Sequence, residues 1–268
     1  MTRPACAWLA VLLGACGGAD RPRPAEPAPA IIELGPAELF ARVGPSVVYV
    51  RSRFESDEAI TVNAGAGVVI GPRGVILTSC HQLRNGDAGP IAPAVEVLVA
   101  EPDAQRRTFR PSPPITADVL WCLPEPDLGM IKLRGGDHGL VPVPLAAAVP
   151  PPGEWFTAIG PTHLGFMWSV QRCLVAGVGD LRDTGTSPFG STSAEAAAAV
   201  RAGMTGGTVL QSGCYINPVS GSPAFDRAGQ VIGLHLFARL NTDLQPSDVN
   251  YYLGVDEIRR YVGAVPAP

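Results

Sequence analysis

The sequence predicts an all-β protein, a sandwich or barrel assembled from short strands. Three observations predict it. The chain carries 31 glycines and 28 prolines in 268 residues, about twice the ordinary share, and such punctuation breaks long helices. Apolar runs of six to ten residues recur, each bounded by turn residues. After the N-terminus no apolar run reaches the roughly 18 residues of a spanning helix. Hydrophobic residues make up 46% of the chain, enough to fill a core without a metal or disulfide scaffold. A net charge of −4 argues against a nucleic-acid partner, which would call for a clustered basic surplus.

The elements follow in order. Residues 1–16, MTRPACAWLAVLLGAC, have the form of a secretory signal: an early Arg3, a short apolar run, then small residues. Residues 17–34 are Pro/Ala-rich without apolar periodicity and read as an extended linker. Pro36–Val43 fits a short amphipathic helix with Pro36 in its first turn and Leu39, Phe40 and Val43 on one side. Six candidate strands come next, at 46–52, 65–71, 74–80, 94–100, 115–121 and 128–133. The Pro-rich stretch 149–152 marks a boundary. A second set covers 155–160, 169–178, 208–216, 224–237 and 249–255, with a hairpin turning at Ala228-Gly229. Between them, 193–203 is alanine-rich with Ser193 as a potential N-cap and reads as a helical insertion. A short helix over 256–262 closes the chain.

Three polar residues stand at the ends of apolar strands: His81 after GVILTSC, Asp127 before LGMIKL, and Ser220 in the turn Asn-Pro-Val-Ser-Gly-Ser-Pro. A neutral imidazole can take a proton from a serine hydroxyl, and a carboxylate behind it fixes the tautomer and stabilises the imidazolium. The order His, Asp, Ser is one of the known solutions of that chemistry. Ser222 is the rival nucleophile. His138 and His163 have no partners at useful spacing and read as loop residues. Apart from Cys6 and Cys16 the chain has Cys80, Cys122, Cys173 and Cys214, which allow three pairings. With no CxxC or HxxxH spacing, no metal site is expected. AGAGVV leads into a strand, not a helix, and so is no phosphate cradle; no cofactor is expected.

These residues carry a resemblance. Leu13-Gly14-Ala15-Cys16 resembles the lipobox of bacterial lipoproteins, which implies cleavage before Cys16, acylation of its thiol and a lipid-anchored place in the cell envelope; the alternative is a plain cleaved signal. AGAGVVIGPRGVILTSCHQL resembles the GSGVII…GYILTNNHV stretch of HtrA-type members of the trypsin-like serine protease superfamily. PEPDLGMIKL resembles their DLALLK segment, and INPVSGSPAFDRAGQVIGL their INPGNSGGPL…GVIG segment, with Gly229 and Gly233 in register. The resemblance covers roughly 36–262. It implies two six-stranded antiparallel β-barrels, over 35–148 and 149–268, with short N- and C-terminal helices. It also implies an exported serine endopeptidase acting on polypeptide, with His81 as general base and acid, Asp127 as its orienter and Ser220 as nucleophile in the inter-barrel cleft.

Further expectations follow from the same likeness. The two-barrel arrangement implies the pairs Cys80–Cys122 and Cys173–Cys214. SGSP followed by VIGLH is similar to the frame of glutamyl endopeptidases, in which a histidine at the place of His235 grips an acidic P1 side chain; the alternative is a buried barrel histidine bonded to a backbone carbonyl. Tyr215 and Phe237 would line that pocket, while Leu236-Phe237-Ala238 would narrow it. One departure bears on rate. The family glycine whose N–H forms half of the oxyanion hole is here Pro218, which has no N–H. Either Asn217 or Val219 turns an N–H inward to join that of Ser220, or the site is impaired and the cleft binds peptides or a partner without cutting them.

Overall fold

A computed structural model describes residues 33–264, apart from 57–58, 87–88, 107, 163–165, 181–206, 215–218 and 241–245; side chains of 238–240 and 246–248 are also outside the description. The expected leader with Cys16, most of the expected linker, and the expected helix at 193–203 therefore lie outside the described residues, as do His163, Tyr215 and Asn217. Helix α1 (Pro36–Val43) precedes β1 (Val47–Glu55), β2 (Ile60–Gly71), β3 (Val75–Thr78), β4 (Ala94–Leu98), β5 (Ala100–Asp103), β6 (Thr108–Pro111), β7 (Ile115–Leu123) and β8 (Leu128–Leu133). Then come β9 (Trp155–Gly160), β10 (Ser169–Asp180), β11 (Thr208–Gly213), β12 (Pro223–Phe225), β13 (Val231–Leu240), β14 (Pro246–Gly254) and helix α2 (Val255–Ala264).

The strands close two barrels of six, in the orders β1-β2-β3-β8-β7-β4 and β10-β11-β14-β13-β12-β9. All pairings within them are antiparallel. The expected strand at 74–80 ends at Thr78, and Cys80–Leu83 forms a 3-10 turn. The run expected as one strand at 94–100 breaks at Val99, and the chain after it forms the hairpin β5–β6. It stands outside both barrels as a two-stranded ribbon, where Pro102 and Pro111 are tolerated because a ribbon has a free edge on each side.

The near-continuous apolar runs of the first barrel reflect burial on both strand faces. In β3, Ile76 points into the barrel with Val48, Val69, Val97 and Ile131. Its neighbours Val75 and Leu77 join Val47, Val68 and Leu128 in a second cluster shared with Ile159, Val209, Phe225 and Leu253 of the other barrel. This shared core fixes how the barrels meet. The buried Trp168 indole donates to the Val47 carbonyl at 2.9 Å. The connecting segment is stitched to both sides, Val143 N–H to the Val69 carbonyl and Ala146 N–H to the Val231 carbonyl, each at 2.9 Å. The second barrel is filled by Phe156, Val175, Leu210, Ile232 and Tyr252.

Candidate active site

His81 sits in the 3-10 turn that follows β3, on the rim of the first barrel. Cys80 beside it is bonded to Cys122 of β7, and the Cys80 N–H donates to the Asp127 carbonyl at 3.2 Å. Asp127 ends the Pro124–Asp127 turn, its N–H donating to the Pro124 carbonyl at 3.1 Å. Its backbone is left-handed, φ 52°, a conformation that aspartate tolerates better than most residues. That conformation delivers a buried carboxylate to the histidine twice over. Asp127 Oδ1 accepts from the His81 backbone N–H at 2.8 Å, and Oδ2 lies 2.6 Å from His81 Nδ1. A carboxylate only accepts, so Nδ1 carries the ring proton and the Nε2 lone pair faces away from the pair.

The serine turn comes from the second barrel. Gly221 has φ +81°, and its N–H donates to the His235 carbonyl at 2.8 Å while the Ser222 carbonyl accepts from His235 N–H at 2.8 Å. Across the seam, Ala66 of β2 donates its N–H to the Ser220 carbonyl at 2.9 Å. The turn is thus bonded to the strand next to β3, which carries His81 on its C-terminal side. The two candidate nucleophiles separate cleanly. Ser220 is half-buried, whereas Ser222 is fully buried, with its hydroxyl turned against Gly160 and no hydrogen-bond partner.

His81 and Asp127 are joined directly; Ser220 is brought to the same seam, but its hydroxyl donates to the Leu236 carbonyl at 3.0 Å. His81 Nε2 is met instead by the carboxamide nitrogen of Gln82 at 2.6 Å. The Val219 N–H donates to the Pro161 carbonyl at 3.0 Å, so in this conformation Val219 does not supply the inward donor that the sequence offered as one route around Pro218. Asn217 and Pro218 lie outside the described residues.

His235 lies directly behind the serine turn. It is 2% exposed, with Nε2 3.0 Å from Asn250 Oδ1 and its ring edge-on to Tyr252 at 5.2 Å. Burial pushes the Tyr252 phenol above its usual range, against the pull of a hydrogen bond with Ser212. Phe237 packs on Tyr251 with ring centroids 5.1 Å apart. Cys173, inside β10, is bonded to Cys214, the residue after β11, across the pair that these two strands form. His138 bonds the Arg134 carbonyl in a turn on the first barrel. Among the described residues no group of three or more His, Cys, Asp or Glu side chains is placed to hold a metal. Sequence reasoning passed over Gln82, Ala66 and the Leu236 carbonyl. Only Gln82 carries a side-chain signal, an amide directly after the candidate base.

Two closed six-stranded barrels, one presenting a histidine–aspartate pair and the other a serine turn, define a chymotrypsin-type hydrolase. The family model described as trypsin-like peptidase domain matches residues 65–234. The chain belongs to that family, and is by class a serine endopeptidase. It is similar in fold to the Rv3671c protease of M. tuberculosis in its active form, with TM-score 0.61 and 19% identity over 92% of this chain and 94% of that one. The inactive form of Rv3671c protease aligns with TM-score 0.59 and 19% identity over 85% and 93%. An inactive serine-to-alanine mutant of the M. tuberculosis protein gives 0.58 and 20% over 88% and 100%. No curated protein matches the sequence.

Proposed function

We propose that His81, Asp127 and Ser220 form the catalytic triad of this peptidase. The observation that carries the reading is the His81–Asp127 pair, in which one carboxylate holds both the backbone and the ring of the histidine. In the reaction, Ser220 Oγ attacks the scissile carbonyl and His81 Nε2 takes its proton. Asp127 stabilises the imidazolium, which then protonates the leaving amine; water repeats the sequence on the acyl-enzyme. The test is labelling by a fluorophosphonate probe. Labelling is expected in the wild-type protein and lost in Ser220→Ala and His81→Ala variants that melt as the wild type does. A well-folded wild-type protein that takes no label would turn the reading to a cleft that binds peptide without cleaving it.

Two finer features belong to the same proposal. The frame SGSP followed by VIGLH supports a preference for an acidic P1 side chain, with His235, held against Asn250 behind the serine turn, as the group that would have to reach it. Matched peptides differing only at P1 test it, and equal cleavage after glutamate and alanine would remove it. The leader ending in Cys16, together with two disulfides, supports an exported protein held at the cell envelope by a lipid. Palmitate incorporation that survives Cys16→Ser would refute the anchor.

A further inference from the structure

The Nε2 lone pair of His81 is where a resting triad would receive the serine hydroxyl, and it is already taken. Asp127 fixes the ring proton on Nδ1. The Gln82 carboxamide N–H, 2.6 Å from Nε2, is therefore the donor and the imidazole the acceptor. Ser220, whose proton needs the same lone pair, bonds the Leu236 carbonyl instead. One lone pair cannot serve both donors.

We propose that Gln82 is a positioning residue that caps the general base at rest, and that the site turns nucleophilic when the amide swings away and Ser220 rotates from Leu236 to His81. This rests on the triad reading above. The packing around Gln82 supports a held side chain. Gln82 is only 7% exposed. A Cβ built on Gly65 would lie 2.8 Å from Gln82 Cγ and Cδ and 2.8 Å from the Ser220 carbonyl oxygen. The amide thus occupies a slot between β2 and the serine turn that exists because residue 65 has no side chain. The cap is also easy to lift. Gln82 Oε1 is buried without a hydrogen-bond partner, an arrangement that costs free energy. Swinging the carboxamide into the cleft lets water or a substrate N–H satisfy that oxygen, which offsets part of the bond given up at Nε2.

The test uses the intact protein with Gln82→Met, which keeps the length and removes the donor, and Gln82→Ala as a second variant should the first misfold. Two readouts are taken. In a Ser220→Ala background, the nitrogen-15 resonance of His81 Nε2 is expected to move downfield, towards a bare imine-type nitrogen, when the amide donor is removed. With Ser220 present, fluorophosphonate labelling is expected to quicken about five-fold, the rate equivalent of one ordinary hydrogen bond of about 1 kcal/mol. A resonance that stays in place overturns the cap. Labelling abolished by Ser220→Ala but no faster in Gln82→Met overturns the cap alone and leaves the triad standing. Labelling that persists in Ser220→Ala overturns the triad and the cap with it.

Discussion

Replacing Gly221 by alanine strikes a residue at which the serine turn meets the first barrel. Gly221 has φ +81°, a left-handed conformation that costs a residue with a Cβ about 1–2 kcal/mol. The added methyl would overlap the Ala66 carbonyl oxygen and come within 3.1 Å of Thr78 Oγ1. Those two atoms are themselves joined by a buried hydrogen bond of 2.6 Å. Relieving the overlap pulls Ala66 from the turn and disturbs this bond together with the one from Ala66 N–H to the Ser220 carbonyl. A displaced buried partner costs about 1–3 kcal/mol. The expected loss is about 3 kcal/mol, a large share of an ordinary stability of roughly 5–15 kcal/mol. With a urea slope of about 2 kcal/mol per molar, the midpoint of a tryptophan-fluorescence melt falls by about 1.5 M. Labelling of the fraction still folded falls more than about ten-fold, because the nucleophile is shifted against its base. An unchanged midpoint with unchanged labelling would mean that no left-handed turn abuts Ala66 and that the seam is built otherwise.

Ser222→Ala removes a buried hydroxyl without a partner. Urea melts should show a gain of about 1 kcal/mol, with labelling within about two-fold of wild type; loss of labelling would transfer the nucleophile to Ser222. Burial raises the Asp226 carboxyl above its ordinary value, against the opposing bonds from the Gln230, Ala228 and Gly229 N–H groups. A raised carboxyl makes ionisation cost stability above the carboxylate range, and the cost fades as pH falls through the folded value. Asp226→Asn keeps an oxygen for the Ala228 and Gln230 N–H groups, now at 2.9 and 2.8 Å. The variant should therefore melt higher than wild type at neutral pH and lose that lead on acidification; a lead that widens in acid contradicts the reasoning.

The barrels were legible because their strands announce themselves. GVILT and LGMIKL are apolar on both faces, and the turn residues around them are glycine, proline and aspartate. The structure buries both faces, one in the barrel and one between barrels. The hairpin β5–β6 was less legible, since AVEVLVAEPD runs on without a turn residue between β4 and β5 and the break at Val99 has no local signature. In the site, residue type and chain order pointed to His81, Asp127 and Ser220, but which hydrogen bonds they make depends on neighbours far along the chain. Ala66, Leu236 and Pro161 act through backbone groups, which every residue possesses, so no pattern of side chains could mark them. Gln82 could have been marked. An amide next to a candidate base is a donor within reach of its lone pair, and only the vacancy at Gly65 turns it inward.

The serine turn also shows how its backbone donors are spent. Val219 N–H goes to Pro161, Gly221 N–H to His235 and Ser222 N–H to Val219. Among the described residues the Ser220 N–H is the one donor of 219–222 left without a partner. On the triad reading that N–H faces the developing oxyanion, and neither Pro218, which has none, nor Val219, whose N–H is bonded to Pro161, adds a second. A missing donor costs about 10²–10³ in rate, and it raises the barrier at every tetrahedral intermediate. The Gln82 cap acts at another point. It lowers the fraction of molecules ready to attack, and it is lifted before bond formation begins. The two handicaps are therefore separable: removing the cap should quicken phosphonate labelling and peptide kcat/KM by the same factor, and leave the oxyanion deficit where it was.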